Sequence, residues 1–238
     1  MPRRSRLHIP QHHSRPGDEP DFSYLETSPA GAVPRPDVNA RVRDIGNLSI
    51  DLVRVLDDNH VAVGQWNPHL EVQDLQIGLR HMLLTRIFDD RMQRAQRQGK
   101  TSFYMRCLGE EAVSVAQGMA LRPKDMLFPA YRNQGLYVVR GRPLVDLMCQ
   151  LLSNTRDMCK GRQLPVMYHW AEGRIFSISG NLTTQFPQAV GWAMAAAIKG
   201  EDDIAVSWIG EGSSAEADFH HAMLFASVYM APVILNVV

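Results

Sequence analysis

One short stretch of the sequence combines glycine and acid where cofactor chemistry is possible. Gly210-Glu211-Gly212 follows the apolar run 204–209 directly and precedes a helix-like segment. Glycines permit tight turns and close approach of the backbone to a ligand, and a helix N-terminus offers free N–H groups to a phosphate. Glu211 is a carboxylate of the kind that holds Mg²⁺ together with phosphate oxygens and water. Taken alone, a three-residue G-x-G motif is more often an ordinary turn.

Basic side chains occur in two further places. Tyr131-Arg132 follows the apolar run 126–129, and a guanidinium at the end of a strand suits bidentate phosphate binding. Without other context, an exposed arginine is the alternative. Lys160 and Arg162 lie in a long polar segment, 154–169, which is either a functional loop or a solvated one.

The segment SISGNLTTQ, residues 177–185, concentrates oxygen-bearing side chains before a predicted helix. Ser179, Thr184 and Gln185, with nearby carbonyls, can surround a hard cation. The alternative is an ordinary helix N-cap, in which Thr183 or Thr184 accepts hydrogen bonds from backbone N–H groups.

Composition narrows the function classes. The 238 residues contain 25 basic and 25 acidic side chains, so no global field favours nucleic acid or an anionic membrane. No apolar run reaches the roughly 18–20 residues of a membrane span, and the basic start lacks the apolar core of a signal peptide. Cys107, Cys149 and Cys159 fit neither a disulfide framework nor a zinc site, and His220-His221 has no partner at metal-ligand spacing. A reducing cytoplasm is therefore the default location.

The sequence predicts two regions. Residues 1–70 are an extended arm with one small hairpin, and the alternative is that they are disordered. Residues 71–238 are an α/β domain. Predicted strands are apolar throughout and alternate with helices, which favours a doubly wound, mostly parallel sheet covered on both faces. The run 204–209, the next helix and the run 233–238 form a βαβ unit. The predicted helices cover 74–99, 110–121, 143–153, 183–200 and a segment starting at 214 under a Ser213 or Ser214 cap, and the predicted strands cover 126–129, 174–180, 204–210 and 233–238.

Five segments together resemble a known family. In order, they are SFYMRCLGEEA, FPAYRNQG, KGRQLPVMY, ISGNLTTQFPQAVG and IGEGSSAEADFH. Their order and spacing resemble the alpha subunits of the branched-chain 2-oxo acid (2-oxoisovalerate) dehydrogenases, which use thiamine diphosphate. The resemblance covers 72–238 and extends into the arm through DFSYL and IDLVRVLD. Pyruvate-type subunits carry a glycine-rich stretch where this chain has RQLP at 162–165, which favours the branched-chain type.

The resemblance implies roles for individual residues. The residues that would bind thiamine diphosphate are Tyr131 and Arg132 at the diphosphate, Leu182 beside the aminopyrimidine, and the backbone of Gly212 and Ser213. Glu211 would bind Mg²⁺, and the potassium loop would consist of Ser179, Asn181, Thr184 and Gln185. Two positions depart from the family. Asn181 stands where the family can have proline, but this position contributes its backbone carbonyl, which the change leaves in place. Gly180 replaces a residue that often carries a hydroxyl.

The implied activity is that of 3-methyl-2-oxobutanoate dehydrogenase, in which branched 2-oxo acids from valine, leucine and isoleucine are oxidatively decarboxylated. The acyl group passes to a lipoyl group of a partner acyltransferase, and the site lies between alpha and beta subunits of an α2β2 heterotetramer. The resemblance further implies that the family's histidine and remaining Mg²⁺ ligands lie beyond Val238. We therefore expect a C-terminally truncated fold with no catalytic residue of its own, inactive in isolation.

Three alternatives stay open from sequence. The chain is an inactive fragment that docks on a beta subunit, an alpha subunit for pyruvate or acetoin, or a dinucleotide-binding protein. The last is disfavoured because no G-x-G-x-x-G opens a helix. The resemblance is to a bacterial-type subunit, which favours the cytoplasm over the mitochondrial matrix.

Overall fold

The computed structural model describes residues 17–19, 21, 23 and 26–238. The basic start and part of the DFSYL stretch lie outside the described residues. The chain divides into two compact units between Leu70 and Glu71. Within the described residues, no helix is both long enough and apolar enough to cross a bilayer.

The described part of the first unit contains little regular structure. Short 3₁₀ turns cover Val42–Asp44 and Gly46–Ser49. An antiparallel bridge joins Leu56 to Ala62, and the Asp57 carboxylate accepts the Asn59 and Val61 N–H groups at 2.9 Å. This bridge forms a small hairpin, because the aspartate satisfies the turn's N–H groups.

The second unit consists of six α-helices and three strands within its described residues. The helices are α1 (Val72–Arg97), α2 (Glu111–Ala120), α3 (Gln134–Val139), α4 (Leu144–Leu151), α5 (Gln185–Lys199) and α6 (Ala217–Val228), and the strands are β1 (Met126–Phe128), β2 (Ala205–Ile209) and β3 (Val233–Val237). Gly99 and Gly200 end α1 and α5 with φ of 71° and 74°, a left-handed conformation that glycine adopts without strain, as the sequence predicted.

The three strands form one parallel sheet in the order β1-β2-β3. Ala205 of β2 lies opposite Met126 of β1 on one side and Val233 of β3 on the other. The predicted α/β class and the parallel pairing within the βαβ unit are confirmed.

Side chains that alternate along the strands build one core on each face of the sheet. On one face, Val206 and Trp208 pack with residues of α1, α3 and α4, such as Tyr137. On the other, Ala205 packs with the small residues of α5, and Ile209 packs with α5 and Ala222 of α6. Helices therefore cover both faces, and the carboxyl ends of β1 and β2 open at one edge.

Three local predictions were wrong. The predicted strand 174–180 is reduced to bridges at Ile175, because Ile175 and Ile178 are both buried, three residues apart, which is not a strand period. No helix was predicted between 129 and 143, but α3 lies there, and Gly135 allows it to pack closely on α2. The helix predicted from 214 begins at Ala217, since a 3₁₀ segment occupies Glu211–Ala215 and Ser214 Oγ donates to the Glu211 carbonyl.

Candidate functional site

A cavity of about 130 Å³ lies at the carboxyl ends of β1 and β2. Three segments converge on it: the turn after β1, the loop before α5, and the segment after β2. Most of the sequence-predicted site residues line this cavity, namely Tyr131, Arg132, Ser179, Asn181, Leu182, Gln185, Glu211 and Ser213. Thr184 and Gly212 are in the same segments but do not line it.

The turn after β1 presents Arg132 to the cavity. Asn133 fixes this turn, because its carboxamide oxygen accepts the Ala130 N–H at 2.8 Å and its Nδ2 donates to Ser114 Oγ at 3.1 Å. The Arg132 guanidinium lies 5.6 Å from the centre of the Tyr131 ring, as in a cation–π contact. Its side chain is 35% exposed, so a positive charge is available to an anion in the cavity.

Behind Arg132, the buried Asp89 carboxylate accepts hydrogen bonds from the segment 104–107. Arg132 Nη1 donates to the Arg106 carbonyl, and Arg106 Nε donates to Asp89 at 2.8 Å. Asp89 is fully buried on α1 and also accepts the Tyr104 hydroxyl at 3.0 Å and the Cys107 N–H at 2.9 Å. The position of the Arg132 guanidinium is therefore linked to α1 through two hydrogen bonds in series.

The segment after β2 is joined to the loop before α5 by Thr183. This residue is fully buried, and its hydroxyl donates to the Ser213 carbonyl at 2.7 Å. Its φ of 67° is rare for a β-branched side chain and marks local strain. Glu211, in the same 3₁₀ segment, is exposed, so its carboxylate can reach a cation in the cavity.

Gln185, which lines the cavity, carries an unpaired buried acceptor. Its Nε2 donates to the Trp208 carbonyl at 2.8 Å, whereas its buried Oε1 has no hydrogen-bond partner among the described residues. A buried acceptor without a partner is costly and points to a missing donor or cation. The predicted N-cap is wrong, because the Thr183 and Thr184 hydroxyls donate to carbonyls instead of accepting N–H groups of α5.

The other sequence candidates lie away from the cavity. Lys160 and Arg162 are exposed in the long loop. His220 and His221 are exposed on α6, and the described residues include no cluster of three metal-binding His, Cys, Asp or Glu side chains.

Sequence reasoning missed Glu110, which also lines the cavity. Burial raises the pKa of Glu110, Arg132 opposes that rise, and Glu111 adds to it. The neighbouring Glu111 behaves in the opposite way, since its hydrogen bond with Arg86 lowers its pKa. The GEE run at 109–111 was the available signal, but two adjacent acids do not reveal which of them faces a ligand.

Two protein-family models match the sequence. The model described as dehydrogenase E1 component matches residues 79–238. The model described as 2-oxoisovalerate dehydrogenase E1 alpha subunit N terminal matches residues 3–42.

Curated relatives match over most of the chain. A 2-oxoisovalerate dehydrogenase subunit alpha of Pseudomonas aeruginosa is 59% identical over 98% of this chain and 57% of its own length. The mitochondrial 2-oxoisovalerate dehydrogenase subunit alpha 2 of Arabidopsis thaliana is 37% identical over 76% of this chain and 39% of its own length. The human mitochondrial subunit alpha is 36% identical over 78% of this chain and 42% of its own length. The chain thus spans about half the length of the curated relatives it matches.

Proposed function

The chain belongs to the dehydrogenase E1 component family, and we propose that it acts as the alpha subunit of a branched-chain 2-oxo acid dehydrogenase. The observation that carries the proposal is the convergence of Arg132 and Glu211 at the carboxyl ends of two parallel strands. A cation for phosphate and a carboxylate for a metal in one cavity suit a metal–diphosphate group.

Thiamine diphosphate is the cofactor that this family implies. When bound, it supplies the electron sink that allows a 2-oxo acid to lose CO₂. Tyr131 and Arg132 would hold the diphosphate, Leu182 would pack beside the aminopyrimidine, and the backbone at Gly212 and Ser213 would contact phosphate oxygens. The open space beside Gly212, where an added Cβ would meet nothing within 4 Å, supports close approach of a ligand to this backbone.

Glu211 would bind Mg²⁺ with water and diphosphate oxygens completing the shell, because Mg²⁺ commonly takes only one or two carboxylates. A potassium ion would be held by Ser179, Asn181, Thr184 and Gln185. The unpaired, buried Oε1 of Gln185 supports this second cation, since a cation would satisfy it.

The proposed substrates are branched 2-oxo acids, with acyl transfer to a lipoyl group of a partner acyltransferase. The relatives' shared name, 2-oxoisovalerate dehydrogenase subunit alpha, supports this substrate class. A cavity of about 130 Å³ is smaller than the roughly 300–1,000 Å³ of typical cofactor pockets, which supports a site completed by a beta subunit in an α2β2 heterotetramer.

The cytoplasm is the proposed location. The bacterial relative is 59% identical to this chain, compared with 36–37% for the plant and human mitochondrial subunits.

An activity assay tests the proposal. The subunit that contains these residues is combined with a beta subunit, thiamine diphosphate, Mg²⁺ and K⁺, and CO₂ release is measured from 2-oxoisovalerate and from pyruvate. We expect release from 2-oxoisovalerate that Arg132→Ala abolishes and Arg162→Ala, an exposed arginine outside the cavity, leaves unchanged. Equal turnover of pyruvate, or full activity of Arg132→Ala, would contradict the proposal.

A further inference from the structure

The cavity contains a second acidic side chain, Glu110, whose carboxylate faces Arg132, the residue proposed to bind the diphosphate. Glu110 Oε1 lies 3.9 Å from Arg132 Nε. This distance is too long for a hydrogen bond, so the pair is a loose ion contact. The side chains of Glu110 and Arg132 are 28% and 35% exposed, respectively, and both line the cavity. An anion that enters the cavity therefore meets Arg132 and Glu110 together.

The turn before α2 holds the Glu110 carboxylate in this place. Gly109 adopts a φ of 98°, and the Glu110 N–H donates to the Cys107 carbonyl at 3.0 Å. The next carboxylate, Glu111, points away from the cavity, since it accepts the Gly109 N–H at 2.9 Å and pairs with Arg86 of α1. The two adjacent acids thus have separate surroundings, and only Glu110 faces the cavity.

Arg132 does not depend on Glu110 for its position. Its guanidinium also donates to the Arg106 carbonyl, and Asp89 holds the Arg106 side chain. A diphosphate can therefore replace Glu110 as the counter-ion of Arg132 without displacing the guanidinium. The cost of that exchange is a carboxylate left beside a polyanion, which like-charge repulsion disfavours.

Resting on the function proposed above, we propose that Glu110 is the resident counter-ion of Arg132 and that it takes up a proton from solvent when a diphosphate binds. The charged groups around it are Arg132, the adjacent Glu111 at the start of α2, and Glu211 across the cavity. Burial already raises the pKa of Glu110 against the opposing influence of Arg132. Once a diphosphate shares the Arg132 charge, that opposition weakens and the pKa rises further.

The sign of the pH effect follows from this proton uptake. Because binding adds a proton to Glu110, the affinity for a diphosphate falls as the pH rises through the ionisation of Glu110. Glutamine keeps the shape and carries no charge at any pH, so Glu110→Gln loses this component of the pH dependence.

A titration with thiamine diphosphate and Mg²⁺ tests the proposal in the subunit that contains these residues. Dissociation constants of wild type, Glu110→Gln and Glu172→Gln are measured from about pH 5.5 to 8.5, a range that covers a carboxyl with a raised pKa. Glu172 is the control, because it is exposed and outside the cavity, and its substitution removes the same charge. The titration of the diphosphate itself cancels in the ratio of wild-type to variant constants.

We expect Glu110→Gln to bind more tightly than wild type at the alkaline end, by about tenfold for each unit by which the diphosphate raises the pKa of Glu110, and equally at the acid end. Glu172→Gln should follow wild type throughout. If wild type binds and Glu110→Gln matches it at every pH, or binds more weakly at every pH, the role of Glu110 is refuted and the proposed function stands. If wild type does not bind thiamine diphosphate, the proposed function fails and the role of Glu110 with it.

Discussion

Replacement of Asp89 by asparagine should destabilise the protein strongly, because this carboxylate is fully buried among three N–H and O–H donors and the weaker Cys107 thiol. The donors are Arg106 Nε at 2.8 Å, the Cys107 N–H at 2.9 Å and the Tyr104 hydroxyl at 3.0 Å. Asparagine retains one acceptor oxygen but turns an amide towards the remaining donors. The Arg106 charge then loses its buried partner, and at least one donor has no acceptor.

The magnitude follows from that count. Hydrogen bonds to a charged group contribute about 1.5–3 kcal/mol each, and breaking a buried ion pair costs about 3–5 kcal/mol. Since Asp89→Asn preserves part of the acceptor capacity, we expect a loss of about 3 kcal/mol of unfolding free energy. For a domain of this size, that corresponds to a fall in melting temperature of roughly 6–12 °C.

The adjacent Asp90 provides a matched control. It also pairs with Arg106, but its side chain is 47% exposed, so Asp90→Asn should cost less than about 1 kcal/mol. Urea unfolding of wild type and both variants, followed by circular dichroism at pH 7, measures the difference. Losses that agree within about 0.5 kcal/mol for the two variants would show that burial does not set the strength of this network.

Three further predictions follow from single contacts. Gly135→Ala should lower the free energy of unfolding in urea by about 1–3 kcal/mol, because the added Cβ would lie 2.9 Å from a side-chain carbon of α2. Gly191→Ala should be neutral or stabilising, because its Cβ would meet nothing within 4 Å. Equal effects of the two substitutions would contradict this. Thr183→Val should weaken thiamine diphosphate binding in calorimetric titrations, because a buried carbonyl after β2 loses its donor. Thr155→Val, at an exposed threonine outside the cavity, should leave binding unchanged, and the reverse order would be contrary evidence. The hydrogen bond from Arg86 of α1 lowers the pKa of Glu111 below its ordinary 4.5. The ionised Glu111 therefore stabilises the folded state above that pH, and this stabilisation is lost as the pH falls through the lower folded pKa. Urea midpoints should decline less on acidification in Glu111→Gln than in wild type, and parallel declines would argue against the pairing.

Most of the second unit was predictable, because its signals are local. The strands β2 and β3 are mostly apolar runs, and Gly99 and Gly200 end their helices in the left-handed conformation expected of glycine. The convergence of Arg132 and Glu211 followed from parallel strands, whose carboxyl ends share one edge.

The errors come from tertiary contacts that override local pattern. Helix α3 contains only six residues, and its packing on α2 depends on the absence of a Cβ at Gly135, which no periodicity reveals. The strand predicted at 174–180 pairs only at Ile175, because the segment then turns towards the cavity. Thr183 adopts a left-handed φ that its side chain disfavours, and the buried bond to the Ser213 carbonyl accounts for it.

We propose that the cavity binds a magnesium diphosphate group through Arg132 and Glu211. The most direct measurement is calorimetric titration of thiamine diphosphate, with and without Mg²⁺, into the subunit that contains these residues and into its Arg132→Ala, Glu211→Ala and Arg162→Ala variants. We predict that wild type and Arg162→Ala bind thiamine diphosphate in a Mg²⁺-dependent manner. Arg132→Ala should bind at least about a hundredfold more weakly, because it loses a charge-assisted bidentate contact. Glu211→Ala should lose the dependence on Mg²⁺. Unchanged affinity in Arg132→Ala, or a full Mg²⁺ requirement in Glu211→Ala, would contradict the claim.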